Sequence, residues 1–189
     1  PWGLCRDEFT ATGGFPHQLY VREARRMIGA RVMTEHECRG YRGVEDSVGL
    51  AAYTMDSHNC RRLVLGGRVV NEGNVEVPPS HPYPISYQAI IPPAEQCVNL
   101  LAPVCLSASH IAYGSIRMEP VFMVLGQSAA TAAALAIDGR CGVQQVPYSD
   151  LQAALRQGGQ ALAWPPQAPE KRDASITVNS TGRRQAAKV

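Results

Sequence analysis

From Pro120 to Ile137 the chain runs without a charged residue, between Glu119 and Asp138. A run of that length has to be covered, by the protein's own core or by a bilayer, and the choice limits every other reading. Gln127, Ser128, Thr131 and six alanines dilute its apolar character, so it reads as a helix packed on a core and not as a membrane span. The helix is expected from about Met118 to Ile137. Pro120 belongs in a first turn, where its missing N–H costs nothing. Glu119 suits the positive end of the dipole, and Gly139 supplies a stop.

What precedes this helix completes a unit. Asn99 to Leu106 (NLLAPVCL) is a nearly continuous apolar run, which predicts a strand buried on both faces. A Ser/Gly-rich turn from Ser107 to Ser115 leads into the helix. Strand, turn and helix together present free N–H groups and a positive dipole end, an arrangement suited to an anionic or electron-rich group. Arg117 stands just before the helix, where a fixed cation adds to that field. Gly126, Ala129, Ala130, Ala132 and Ala133 allow close approach of a backbone or a flat ligand. An alanine-rich helix on a sheet also satisfies the same pattern with no ligand.

Elsewhere the pattern is less regular. Leu19 to Met33 fits a helical face in part, but Arg22, Arg25 and Arg26 interrupt it. Thr34-Glu35-His36-Glu37 has capping-box spacing and predicts a short helix. Asp46 to Tyr53 reads as an N-capped helix. Arg62 to Val70 reads as a hairpin turning at Gly66-Gly67. Residues 71–84, with four prolines, read as loop, and Ile85 to Ile91 as a strand ended by Pro92-Pro93. A second helix is expected from Ser149, as cap, to Gln157, stopping at Gly158-Gly159. The fold class is therefore mixed α/β. The division expected is a substrate-facing region over 1–97, the strand-turn-helix part over 98–164 and a flexible tail over 165–189.

Length and charge narrow the function. A chain of 189 residues makes about one domain and can bury a sizeable core. Charged residues are 18%, against about 25% in an average domain, so part of the surface expects a covering partner or domain. A net charge of +2, with no basic stripe, gives no nucleic-acid footprint. The chain opens at Pro1 and reads as a piece of something longer. Six cysteines without a CxxC pair read as free thiols, Cys105 as a buried one, and leave the compartment open.

Three residue groups carry candidate chemistry. Asp56-Ser57-His58 offers a carboxylate to orient the His58 imidazole for proton transfer, the competing reading being a hydrogen-bonded structural histidine. Arg22, Arg25 and Arg26 suit a carboxylate or sugar-acid clamp, or equally ion pairs with Glu23, Glu35 or Glu37. Ser107, Ser109, His110 and Asp56 hold the residue types of a hydrolase triad. Yet Gly126-Gln127-Ser128-Ala129-Ala130 lacks the second glycine of a nucleophile elbow and lies mid-helix. Asp56, His58 and Cys60, or His36 and Cys38, lack the spacing of a four-ligand metal site, and no metal is expected.

The blocks DEFTATGGFPHQLYVREARRMIG, TMDSH, PYPISYQAIIP and NLLAPVCLSASHIAYGSIRMEPVFMVLGQSAATAAALAI resemble the C-terminal part of bacterial FAD-dependent oxidoreductases of the xanthan-lyase-like kind. The resemblance spans 1–164. It implies the second half of a two-dinucleotide-fold flavoprotein, whose N-terminal half carries the βαβ adenine-binding unit and is this chain's partner. It also implies hydride transfer between a small organic substrate and FAD. By position, Ser107, Ala108, Ser109 and His110 would line the ribityl or pyrophosphate part of FAD. Arg117, Met118 and Glu119 would lie by the isoalloxazine, and Gly126 and Gln127 would give close helix packing. His58, Arg22 and Arg25 would face the substrate.

No G-x-G-x-x-G occurs in the chain, and Ile85-Ser86-Tyr87-Gln88 stands where the family usually reads I-P-Y-R. The chain alone is therefore expected to bind FAD weakly or not at all. The competing reading is a non-catalytic interaction or vestigial module.

Overall fold

The computed structural model describes residue 3, residues 7–17 and residues 23–165. Cys5, Arg22, the start of the ambiguous 19–33 stretch and nearly all of the expected tail lie outside the described residues. The architecture is mixed α/β. Its described strands are β1 (Ser47–Ala51), β2 (Met55–Ser57), β3 (Arg61–Leu65), β4 (Arg68–Glu72), β5 (Val75–Val77) and β6 (Tyr83–Ser86). Its described helices are α1 (Glu35–Cys38), α2 (His110–Ile116), α3 (Glu119–Gly139) and α4 (Tyr148–Gln157). The strands pair antiparallel as β1 with β6, β2 with β5 and β3 with β4. The core gathers Met33, Val48, Met55, Tyr83, Ile85, Ile90, Leu106, Ile116, Leu125, Leu151 and Leu155.

Local chemistry explains the elements that match expectation. At α1 the Thr34 side chain and Glu37 form the capping box. The β3–β4 hairpin turns on Gly66 and Gly67, both at positive φ, as a two-residue loop of matching twist demands. Helix α3 has Pro120 in its first turn and ends beside Arg140 in a left-handed conformation. Helix α4 stops at Gly158 as expected, but Pro147 precedes it and Ser149 lies inside it, bonded to Asp150.

Several expectations are corrected. Asp46 to Tyr53 is not a helix but carries β1. The Asp46 carboxylate accepts from the Ser86 hydroxyl (2.7 Å) and the Gln88 N–H (3.0 Å), so it is spent across the β1–β6 pair and not on a helix terminus. Asn99 to Leu106 is no strand. It threads between two neighbours, with Ala102 N donating to Ile90 O and Cys105 O accepting from Met27 N, and Pro103 lacks the N–H a ladder needs. Leu100, Val104 and Cys105 are exposed, so Cys105 is not a buried thiol. The Ser107–Ser115 stretch is not a turn but holds most of α2, capped by Ser109. Residues 71–84 contain the end of β4, all of β5 and the start of β6, and the strand expected from Ile85 gives way to a 3-10 turn over Tyr87–Ala89.

Residues 23–33 form no helix. They run as irregular chain that meets 105–109 at its two ends, with Met27 N donating to Cys105 O, Met33 N to Ser107 O and Ser109 N to Met33 O, while Ala30 and Arg31 donate to Ile91 O and Gln88 O. This pairing brings Glu23 and Arg26 toward the N-terminus of α2.

Glu37 is the most deeply placed carboxylate described, with its side chain wholly buried. Burial pushes its carboxyl up. The Thr34 hydroxyl (2.6 Å), the Thr34 N–H (2.8 Å) and the Arg31 guanidinium (3.1 Å) outweigh that and hold it below the ordinary 4.5. A lowered folded value means stability fully present above the ordinary carboxylate range and lost as pH falls through the folded value. We expect Glu37→Gln to flatten this acid limb when unfolding is followed by circular dichroism from neutral to acid pH. Parallel slopes for the two proteins would assign the acid sensitivity elsewhere.

Helix α3 packs one face, with Leu125, Ser128, Ala129, Ala132 and Ala136, on β1 and α4. On the other side Met123, Gln127, Ala130, Ala134 and Ile137 form an exposed stripe at helical spacing. By length and composition α3 is also apolar enough to cross a membrane. The expectation of a fully packed helix therefore holds for one face only.

Candidate functional site

Helix α2 organises the site, because β2 is bound to it at two consecutive residues. Asp56 pairs with Arg117, which caps the C-terminus of α2, at 3.0 Å, and both side chains are largely buried. Ser57 Oγ lies 2.9 Å from His110 Nε2, at the first residue of α2. Gly114 makes this approach possible: a Cβ there would stand 2.6 Å from the Asp56 carbonyl oxygen. Tyr83 adds a third tie, donating to Ser115 Oγ at 2.7 Å within the core.

On the other side of His110, Nδ1 lies 2.8 and 2.9 Å from the two Glu23 oxygens. Glu23 also pairs with Arg26. Partial burial pushes the Glu23 carboxyl up, but the hydrogen bond to His110 and the Arg26 charge outweigh it, so its pKa is lowered. Arg26 is itself fixed, its Nε donating to Ala108 O at 2.9 Å and its guanidinium 5.0 Å over the Tyr113 ring.

The residues named from sequence are placed as follows. Ser107 is buried, its hydroxyl without a hydrogen-bond partner, and its Cβ faces Gly29, where an added Cβ would come within 2.9 Å. Ala108 is buried and offers its carbonyl to Arg26. Ser109 caps α2 through Ala112 N at 3.3 Å. His110 is half exposed. Arg117 is buried, and its charge is matched by Asp56, so the positive field at the start of α3 is that of the helix itself. Met118 precedes α3 with no side-chain cap, and Glu119 and Pro120 are exposed.

Gly126 faces open space, with nothing within 4 Å of a Cβ built on it. Gln127 borders a cavity of about 320 Å³ with Leu50, Val124, Gly158, Gln160 and Ala161. His58 is exposed. Arg25 is exposed, and of the two described arginines in this stretch Arg26 reaches the site.

Glu23, Ser57 and Arg26 were thus the contacts that local reading underweighted. Glu23 and Ser57 lie 87 and 53 residues from His110 in the chain, so no spacing rule joins them. The one local signal was the Ser109-His110 pair, since a helix cap fixes the direction of the histidine after it.

An imidazole held between a carboxylate and a hydroxyl can take up and return a proton. A helix N-terminus without a cap leaves its first N–H groups for an electron-rich ligand edge. Both features suit redox chemistry on an organic group. No curated protein and no solved structure matches this chain. Residues 1–155 match the model of the family described as FAD dependent oxidoreductase, flavoproteins that bind FAD. By that match over most of its length, the chain belongs to the FAD-dependent oxidoreductase family.

Proposed function

We propose that this chain is the C-terminal, flavin-facing portion of an FAD-dependent oxidoreductase of the bacterial xanthan-lyase-like kind, which transfers hydride between a small organic substrate and FAD. The observation that carries the reading is the uncapped first turn of α3, held in place by the Asp56–Arg117 pair beneath it. The residues present fit a flavin edge: backbone donors without a competing side-chain cap, beside a helix face that opens at Gly126.

The N–H groups of the first turn of α3 and the backbone around 108–110 would hold the cofactor. FAD, when bound, supplies a two-electron acceptor. A positive helix terminus favours the anionic reduced form, which is the electrostatic contribution this chain makes. The exposed stripe from Met123 to Ile137 is the face that a dinucleotide-binding portion would cover. Region 1–97 would then carry the substrate side and 98–164 the cofactor side.

The test is to read the coding frame upstream of Pro1 and express the continuous polypeptide. The expected result is a strand, a G-x-G-x-x-G and a helix, and a purified protein that retains FAD. A frame that starts just before Pro1 would favour the module without cofactor.

A further inference from the structure

We propose that Glu23, His110 and Ser57 form a directed proton relay in which His110 Nε2 accepts the proton released by a hydroxyl-bearing substrate. The proposal rests on the oxidoreductase reading above. Its direction follows from donors and acceptors alone. An ionised Glu23 only accepts, and the Arg26 guanidinium beside it keeps it ionised, so His110 Nδ1 carries a hydrogen. In the neutral ring Nε2 is then an acceptor, and the Ser57 hydroxyl at 2.9 Å points its hydrogen there.

Protonation leaves nothing unpaired. Nε2–H then donates to Ser57 Oγ, and the Ser57 hydrogen turns to the His58 carbonyl at 3.4 Å. Both states of the ring are satisfied, as a relay requires. Among the described residues, the other charged groups along α2 are Asp56 and Arg117, which pair with each other, while His110 Nδ1 faces Glu23, itself paired with Arg26.

In the reaction the substrate C–H bond breaks with its electron pair, passing as hydride to oxidised FAD. The substrate O–H proton moves to Ser57 Oγ as the Ser57 proton moves to Nε2, and a C=O bond forms. His110 ends as imidazolium against the Glu23 carboxylate, and Ser57 is unchanged. Glu23 is a positioning residue in this scheme, and Ser57, which takes the substrate proton as it passes on its own, is a catalytic one.

The test reads Nε2 as a nucleophile, using diethyl pyrocarbonate on the full chain near neutral pH and mapping each histidine by mass. His110 should react several times faster than His58, which is exposed and lies outside the relay. Glu23→Gln should bring the His110 rate down to that of His58, while Ser57→Ala should leave it undiminished. A His110 rate at or below that of His58 in the unaltered chain overturns the relay, and needs no variant to fold. A fluorophosphonate adduct on Ser57 overturns it too, because Ser57 would then be a nucleophile. No flavin is added, so a chain that never binds FAD defeats the flavin placement and leaves a fast His110 standing.

Discussion

Gly114→Ala is expected to destabilise the chain by about 1–2 kcal/mol, although alanine is the better helix former. The propensity gain in a helix interior is about 1 kcal/mol. Against it stands a new Cβ only 2.6 Å from the Asp56 carbonyl oxygen and 3.3 Å from its nitrogen. Backbone is the obstacle on both sides, so no rotamer change relieves it, and overpacking of this kind costs about 1–3 kcal/mol, occasionally more. Moving β2 away strains the Asp56–Arg117 pair and the Ser57–His110 contact together. Urea unfolding measures the loss, and the His110 reactivity described above should fall with it. A variant as stable as the parent would mean that β2 and α2 are not in contact in solution.

Asp56→Ala is expected to cost about 3–5 kcal/mol, because it leaves the Arg117 guanidinium buried without its carboxylate. The side chain of Arg117 is only 7% exposed, which separates this pair from surface ion pairs worth about 1 kcal/mol or less. The companion change decides whether the cost is an unpaired charge or lost packing. Arg117→Met combined with Asp56→Ala should recover a large part of the loss, since an apolar side chain of similar length needs no partner. A single-variant cost under about 1 kcal/mol would place the pair in solvent. A double variant no better than Asp56→Ala alone would make packing the cause.

Local chemistry wrote part of this fold plainly. The Thr34–Glu37 capping box, the Gly66-Gly67 hairpin and the limits of α3 each depend on residues within a few positions, and each is where the sequence places it. Asp46 shows why the rest was not legible. A carboxylate before an apolar run is a good helix cap, but here Ser86 and Gln88, some forty residues later, claim it and make the run a strand. Asn99 to Leu106 fails for a related reason: strand character needs a continuous ladder, and this stretch meets 27 and 90 in turn.

The site follows the same division. His110 and Arg117 were named by position from the family resemblance, and the start of α3 from Pro120 and Glu119 at the head of an uncharged run. Glu23, Ser57 and Arg26 became visible only through the contacts of 23–33 with 105–109 and of β2 with α2. Three arginines in one stretch are indistinguishable by type, and the carbonyl of Ala108 with the ring of Tyr113 selects Arg26.

Hydrogen exchange on the continuous polypeptide, with and without FAD, tests the flavin placement most directly. The account predicts that FAD slows exchange in the first turn of α3, at Glu119 and Val121, and at residues 108–110. Protection confined to other segments, with these amides exchanging at the same rate with and without FAD, would contradict it.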